Sequence, residues 1–242
     1  MNDETNYYQW LKQFRFLVTP EHPCNYIEDK NATTLFVDPQ GPINVTNYTH
    51  LTKIGFRRSG EHIYRPHCSS CNQCKLVRIL VDEFNPGRND RRRIRKNADL
   101  TVNWQDAEFS GEHFDLYKKY MQSRHAGSSM DSDDPAQYIH ILKTDWCNTK
   151  VGEFRLNGQL IAVAITDWLD DGLSAVYTYF DPDFEDRSPG RYAILQQVEA
   201  ARLSGLRYLY LGYWIKDCKK MSYKIKFDAV EIFNGQRWYK AQ

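Results

Sequence analysis

Val151-Gly-Glu-Phe-Arg-Leu-Asn157-Gly158-Gln-Leu-Ile-Ala-Val-Ala-Ile-Thr-Asp-Trp168-Leu-Asp-Asp171-Gly172-Leu-Ser-Ala-Val-Tyr-Thr-Tyr-Phe180 is the stretch whose reading decides the fold. Asn-Gly and Asp-Gly pairs take the left-handed backbone that a tight turn between twisted strands needs. Asn157-Gly158 and Asp171-Gly172 therefore divide it into three strands, about 151–156, 159–168 and 173–180. Further along, Ser188-Pro189 opens a helix with Ile194, Leu195, Val198 and Ala201 inside, and Gly205 ends it. Leu206 to Leu211 reads as a strand, residues 215–224 as helical, and Ala229 to Phe233 as a last strand turned by Asn234-Gly235. Before the hairpins, Ser110 caps a helix bearing Phe114, Tyr117, Tyr120 and Met121. Asp134-Pro135 starts another, bearing Tyr138, Ile139 and Leu142.

The resulting order, α-α-β-β-β-α-β-α-β, resembles the core of the GCN5-related N-acetyltransferase fold. That resemblance implies an acyl-donor site where two strands splay beside the central helix. The first hundred residues differ: short apolar pieces such as Thr34 to Val37 and Leu76 to Val81 alternate with Pro, Gly, Asn and Cys. The expected architecture is α/β (α+β), an acetyltransferase-like C-terminal domain at 101–242 with a smaller cysteine-containing N-terminal domain, 1–100, packed on it.

Composition narrows the class. The chain has 242 residues, 41% hydrophobic, 14% aromatic and 26% charged, which suits a folded globular protein and not a disordered one. Apolar runs are too short to span a bilayer, and Met1 to Trp10 does not read as a signal peptide. A cytoplasmic protein with reduced cysteines is expected. The net charge is +1, yet the cations are bunched at 88–96 and 216–226. Net charge reports the long-range field and not the local surface that a phosphate meets.

Four features carry chemistry. Cys68-x-x-Cys71-x-x-Cys74 has spacers that let thiolates turn back toward one centre, and Cys24 is the natural fourth ligand, with His67 and His62 as others. Such a set fits zinc or an iron–sulfur cluster, and spacing does not separate the two. Arg88, Arg91, Arg92, Arg93, Arg95 and Lys96 suit a phosphate backbone, where each cation replaces a condensed counterion. Arg187-Ser188-Pro-Gly190 lies before a helix N-terminus, where free N–H groups and the helix dipole favour an anion. It resembles the coenzyme A pyrophosphate loop of acetyltransferases, except that Tyr192 stands at the third small position. Tyr208 to Trp214, followed by Lys216, Lys219, Lys220, Lys224 and Lys226, interleaves aromatics with cations, as RNA ends are often held.

Taken together, several motifs are similar to those of the bacterial aspartate/glutamate leucyltransferases, relatives of the eukaryotic arginyl-tRNA–protein transferases. They are Pro23-Cys24-Asn-Tyr, Gly55-Phe-Arg-Arg58, Tyr64-Arg-Pro-His-Cys68-Ser-Ser-Cys71-Asn-Gln-Cys74, Tyr120-Met-Gln-Ser-Arg124-His125, Tyr177-Thr-Tyr179-Phe-Asp181-Pro, Arg187-Ser-Pro-Gly190 and Tyr210-Leu-Gly-Tyr-Trp214-Ile-Lys-Asp-Cys218-Lys-Lys-Met-Ser-Tyr-Lys224. The resemblance implies an enzyme that moves leucine from Leu-tRNA to the N-terminal amine of proteins starting with Asp or Glu, marking them for degradation. No cofactor is required for that chemistry. The expected assignments are Arg124 for the acceptor carboxylate, and His125 or Asp181 for proton handling. Donor and tRNA contacts are expected from Arg91, Arg92, Arg93, Tyr177, Tyr179, Arg187, Ser188, Gly190, Tyr213, Trp214, Lys219, Lys220 and Lys224. Alternatives are arginyl transfer by the same mechanism, a coenzyme A-dependent N-acetyltransferase, and a non-enzymatic metal-bearing RNA-binding module.

Overall fold

A computed structural model describes residues 10–124, 126–127 and 134–241. His125, expected to handle a proton, lies outside the described residues. The first part of the chain runs β1 (Phe16–Val18), β2 (His22–Pro23), β3 (Asn31–Ala32), β4 (Thr34–Val37), α1 (Val45–Lys53), β5 (Arg57–Ser59) and β6 (His62–Pro66). Four of these strands form a small antiparallel sheet in the order β1-β4-β6-β5, and β2 pairs with β3 in a separate ribbon.

The rest runs β7 (Lys75–Leu80), α2 (Arg88–Lys96), β8 (Leu100–Asp106), α3 (Gly111–Arg124), α4 (Pro135–Leu142), β9 (Asn148–Leu156), β10 (Gln159–Trp168) and β11 (Gly172–Phe180). A 3₁₀ turn (Pro182–Arg187) leads into α5 (Pro189–Leu203), and β12 (Tyr208–Trp214), a second 3₁₀ turn (Lys219–Lys226), β13 (Val230–Phe233) and β14 (Trp238–Lys240) complete the chain. An eight-stranded sheet joins them in the order β14-β13-β7-β12-β11-β10-β9-β8. Among the described residues its one parallel pairing is β11 with β12, across the α5 crossover. The acetyltransferase-like order expected from the hairpins is present in a mixed α/β architecture.

Asn157 and Gly158 take φ of 50° and 88°, the two-residue turn read from the sequence. Gly172 has a different use. It begins β11, and a Cβ there would meet the Tyr208 carbonyl oxygen at 2.5 Å, so glycine permits close strand approach. The basic run forms a surface helix, α2. Residues 219–226 are 3₁₀ rather than α-helical. The division expected near residue 100 does not interrupt the sheet, because β7 from the first hundred residues pairs with both β12 and β13.

Alternation along the strands sets the layers. Val77 and Ile79 of β7 join Leu195, Val198 and Ala201 of α5 on one face, while Leu76 joins Tyr48, Leu51, Ile63 and Tyr213 on the other. In β10, Ala162 and Ala164 meet Tyr192 and Ala193 of α5, while Val163 and Ile165 meet Phe114, Tyr117 and Met121 of α3. Edge strand β5 abuts the second face. There Arg58 donates to both carboxylate oxygens of Asp167 at 2.7 and 2.8 Å, with both side chains fully buried.

Candidate active site

β11 and β12 are registered only from Gly172–Ser174 to Tyr208–Tyr210. Beyond that, β11 follows β10 and β12 follows β7, so the two strands part. Parting frees backbone groups that need new partners. Arg57 reaches in from β5, its Nη1 donating to Ser174 Oγ at 2.8 Å and its Nη2 donating to the Ala175 carbonyl. Across the gap, β12 bulges between Tyr210 and Gly212, and Gly212 takes φ of 81°. A Cβ on Gly212 would lie 3.5 Å from Arg57 Nε, Arg57 Nη2 and Lys224 Nζ, which locates both cations against one stretch of backbone. Lys224 comes from the second 3₁₀ turn and donates to the Tyr213 carbonyl at 2.7 Å. Burial, then the neighbouring Arg57, lowers the Lys224 ammonium to about 7.

Tyrosines surround this wedge. Tyr177 is half-buried, and its hydroxyl donates to Met121 Sδ at 3.4 Å. Tyr120 packs edge-on to Phe180, with ring centroids 5.1 Å apart. Tyr213 donates its hydroxyl to the Gly55 carbonyl at 2.7 Å, and Tyr223 stays exposed at the rim. Burial raises Tyr177, so it remains a neutral phenol near pH 7.

The expected site residues divide into groups. Lys224 meets the Tyr213 carbonyl at the wedge while the Tyr213 ring is buried, and Tyr177 stays partly open beside α3. Tyr179 is fully buried, with its hydroxyl 2.6 Å from that of Tyr138, and serves the core under α4. Trp214 is half-buried against the α5 core, and its indole Nε1 has no hydrogen-bond partner among the described residues. Arg124 pairs with Glu185, its guanidinium 5.9 Å from the Phe180 ring. Asp181 is buried, caps the first 3₁₀ turn through Asp183 N–H and accepts from Lys119 at 2.6 Å. Neither Arg124 nor Asp181 is free for a substrate without releasing these bonds.

At the start of α5, Ser188 is left-handed (φ 55°, ψ 54°) and Gly190 lies near Phe180. Arg187 is turned away from the helix end, donating to both Asp99 oxygens at 2.8 and 3.0 Å and to the Lys96 carbonyl. Beside it, α2 docks through buried Asp90, which accepts from Arg191 at 2.6 and 2.8 Å and from Arg93 at 3.3 Å. Arg88, Arg91, Arg92 and Arg95 share the exposed face of α2 at helical spacing. Lys219 and Lys220 are exposed near the wedge.

Cys24, Cys68, Cys71 and Cys74 line one cavity of about 440 Å³, together with His22, His67, Tyr26 and Tyr64. The spacing therefore assembles the four thiols as expected. The ligand set does not follow: among the described residues no group of three or more His, Cys, Asp or Glu is placed to hold a metal ion. Cys68 Sγ instead contacts the Thr33 carbonyl at 3.8 Å. Burial, reinforced by the other three cysteines, pushes the Cys74 thiol up to about 12. The zinc or iron–sulfur expectation is not supported.

Sequence reasoning missed Arg57. It stood in the quoted Gly55-Phe-Arg-Arg58 motif, but nothing local said which of two adjacent arginines would reach the splayed strands.

Comparison with known proteins identifies the family. Residues 22–92 match the family described as arginine-tRNA-protein transferase, N terminus, and residues 112–234 match its C terminus. The aspartate/glutamate leucyltransferase of Pseudomonas fluorescens (strain Pf0-1) is 48% identical over 228 residues, covering 94% of this chain and 97% of that protein. Its counterpart from Alcanivorax borkumensis is also 48% identical, covering 94% of each. Among solved structures, the C-terminal domain of a putative lysylphosphatidylglycerol synthetase from Agrobacterium fabrum superposes with a TM-score of 0.50 at 13% identity, covering 81% of this chain and 71% of that one. That likeness is one of fold. By both halves of its length and by its full-length relatives, the chain belongs to the arginine-tRNA-protein transferase family.

Proposed function

We propose that this chain moves a leucyl group from Leu-tRNA to the α-amino group of proteins beginning with Asp or Glu, in the cytoplasm, and so marks them for degradation. The single observation that supports it best is identity of 48% to leucyltransferases over 94% of the chain, and two of the quoted motifs, through Arg57 and through Gly212 and Lys224, meet at one cationic wedge. The donor is an ester and already activated. The acceptor nitrogen forms a bond to the leucyl carbonyl carbon, the ester C–O bond breaks, and the terminal ribose oxygen leaves with a proton. An α-ammonium has a pKa of about 8, so freeing its lone pair near neutral pH costs little. Positioning and stabilisation of the developing oxyanion supply most of the rate.

The tRNA acceptor arm lies along the exposed face of α2 and the start of α5, with Lys219 and Lys220 nearer the transferred group. Tyr177, Tyr213 and the strand parting hold the reacting ends. An acetyl-coenzyme A donor fits less well, because Arg57 occupies the parting and Tyr192 replaces a small residue at the helix N-terminus. The test is transfer of labelled leucine and arginine from their tRNAs to peptides beginning with Asp, Glu, Lys or Arg. Leucine on Asp and Glu peptides alone is expected. Arginine on the same peptides, or no transfer to acidic peptides, overturns the reading.

A further inference from the structure

Arg57 and Lys224 form an electrostatic anomaly. The two cations converge on Gly212 in a place largely removed from water, with Arg57 only 7% exposed and Lys224 half-buried. Their hydrogen-bond partners are neutral: Ser174 Oγ and the Ala175 carbonyl for Arg57, the Tyr213 carbonyl for Lys224. Neither makes an ion pair with a carboxylate among the described residues. The ionisable groups nearby are the Cys218 thiol and the phenols of Tyr48, Tyr64, Tyr213 and Tyr223, all four phenols raised from their ordinary value and so neutral near pH 7. Buried like charges without a counter-charge are unfavourable unless an anion arrives.

The unused donors have a definite capacity. A guanidinium carries five N–H groups and an ammonium three, so each retains free donors after the bonds above. One carboxylate, with two oxygens, can bridge them. No side chain projects from Gly212, and a Cβ there would lie at van der Waals distance from both cations, so this backbone is where the two charges come nearest each other. We infer that Arg57 and Lys224 together receive the side-chain carboxylate of the acceptor's N-terminal Asp or Glu, and so determine acceptor specificity. This rests on the leucyl-transfer reading.

The chemistry discriminates in the expected direction. An N-terminal Asn or Gln would present an amide of similar shape but no charge, leaving both cations uncompensated. A tRNA phosphate is a poorer occupant, because the backbone of a duplex arm meets exposed cations such as those of α2 and not a half-buried pair. The carboxylate would enter from the rim at Tyr223, meeting Lys224 first and Arg57 behind it. With its side chain anchored there, the acceptor amine is held beside the parting of β11 and β12. Both residues are placed as specificity determinants, and neither is assigned a proton.

The experiment measures kcat/KM for the full-length enzyme, with Leu-tRNA saturating, on peptides identical except for Asp, Asn, Glu or Gln at the first position. Lys224→Gln is expected to reduce the Asp-over-Asn ratio by roughly tenfold to a hundredfold, as removing one member of a desolvated charge pair does, with the KM for Leu-tRNA unchanged. Lys224→Arg should restore much of the ratio. Arg57→Lys should lower it as well, provided its melting transition shows a folded protein. A Lys224→Gln enzyme that keeps the parent's ratio, or one whose only change is a raised KM for Leu-tRNA, overturns the inference while leaving leucyl transfer intact. A parent enzyme inactive on Asp and Glu peptides refutes the leucyl-transfer reading and this inference with it.

Discussion

Arg57 and Arg58 are neighbours on one short strand, yet they enter two electrically different regions. Arg58 points to β10 and meets Asp167 on both oxygens, with Thr149 Oγ1 and the Ile141 carbonyl completing its shell. Arg57 points to β11 and meets only a hydroxyl and a carbonyl, with a second cation close by. Burial is nearly the same, 7% exposed for Arg57 and 5% for Arg58, so accessibility does not explain the difference. One arginine belongs to a closed structural unit, and the other to a unit that is electrically incomplete until a substrate supplies the missing charge. Adjacent strand residues point to opposite sides, which is how one dipeptide serves both.

That contrast can be broken at several points. The largest effect is expected from Asp167→Asn, which strands a buried guanidinium and should cost about 3–5 kcal/mol of folding free energy in a denaturant titration. A loss below about 1 kcal/mol would mean that Arg58 is not held by its charge partner. Next comes Gly212→Ala. The space tolerates a methyl group at 3.5 Å, but φ of 81° does not suit alanine, so about 1–2 kcal/mol should be lost. Acceptor KM should rise more than Leu-tRNA KM, because the two cations bracket this residue.

Lys224→Met should act in the opposite direction to Asp167→Asn. The lysine falls from 10.5 to about 7 on folding. Between those values the unfolded chain binds a proton that the folded chain does not, so the parent gains stability as pH rises. The penalty is complete below about 7 and gone by about 10.5. The variant is therefore expected to be more stable than the parent at pH 6, by a margin that holds up to about pH 7 and then narrows toward pH 10.5. A constant margin in paired melting curves would disprove the titration. Smallest in stability is Arg92→Gln with Arg95→Gln on α2, expected within about 0.5 kcal/mol of the parent. Leu-tRNA binding should nevertheless weaken, and the salt dependence of its affinity should flatten by about one log–log unit for each phosphate no longer neutralised.

Much of the fold was legible because its signals are local. The Asn157-Gly158 turn, the apolar run of β10 and the Ser188-Pro189 helix start each lie within a few residues. Placement across distance was not. Tyr177 and Tyr179 share a strand face by parity, and only the docking of α4, through Tyr138, makes one a wall of the wedge and the other a core residue. Arg187 sits in the expected loop, but Asp99 decides where its guanidinium points. The cysteine spacing foretold convergence, whereas ligation depends on the geometry of the Cys24 loop against the other three. Arg57 was hidden because its partner backbone, Ser174 and Ala175, lies more than a hundred residues away.

The position of β7 also governs how the chain can come into being. During synthesis Leu76 to Leu80 leaves the ribosome long before either neighbouring strand exists. Arg78, for example, bonds Glu231 at a separation of 153 residues. Until then both edges of an apolar strand are bare, which invites pairing with other chains. Completion of the sheet's centre therefore waits for the last residues and should be a slow, late event, since long-range strand pairing retards folding. The arrangement also fastens the two family segments together: a chain nicked between β7 and β8 would still hold its ends by hydrogen bonds on both sides of one strand, and its fragments should stay associated without a covalent link.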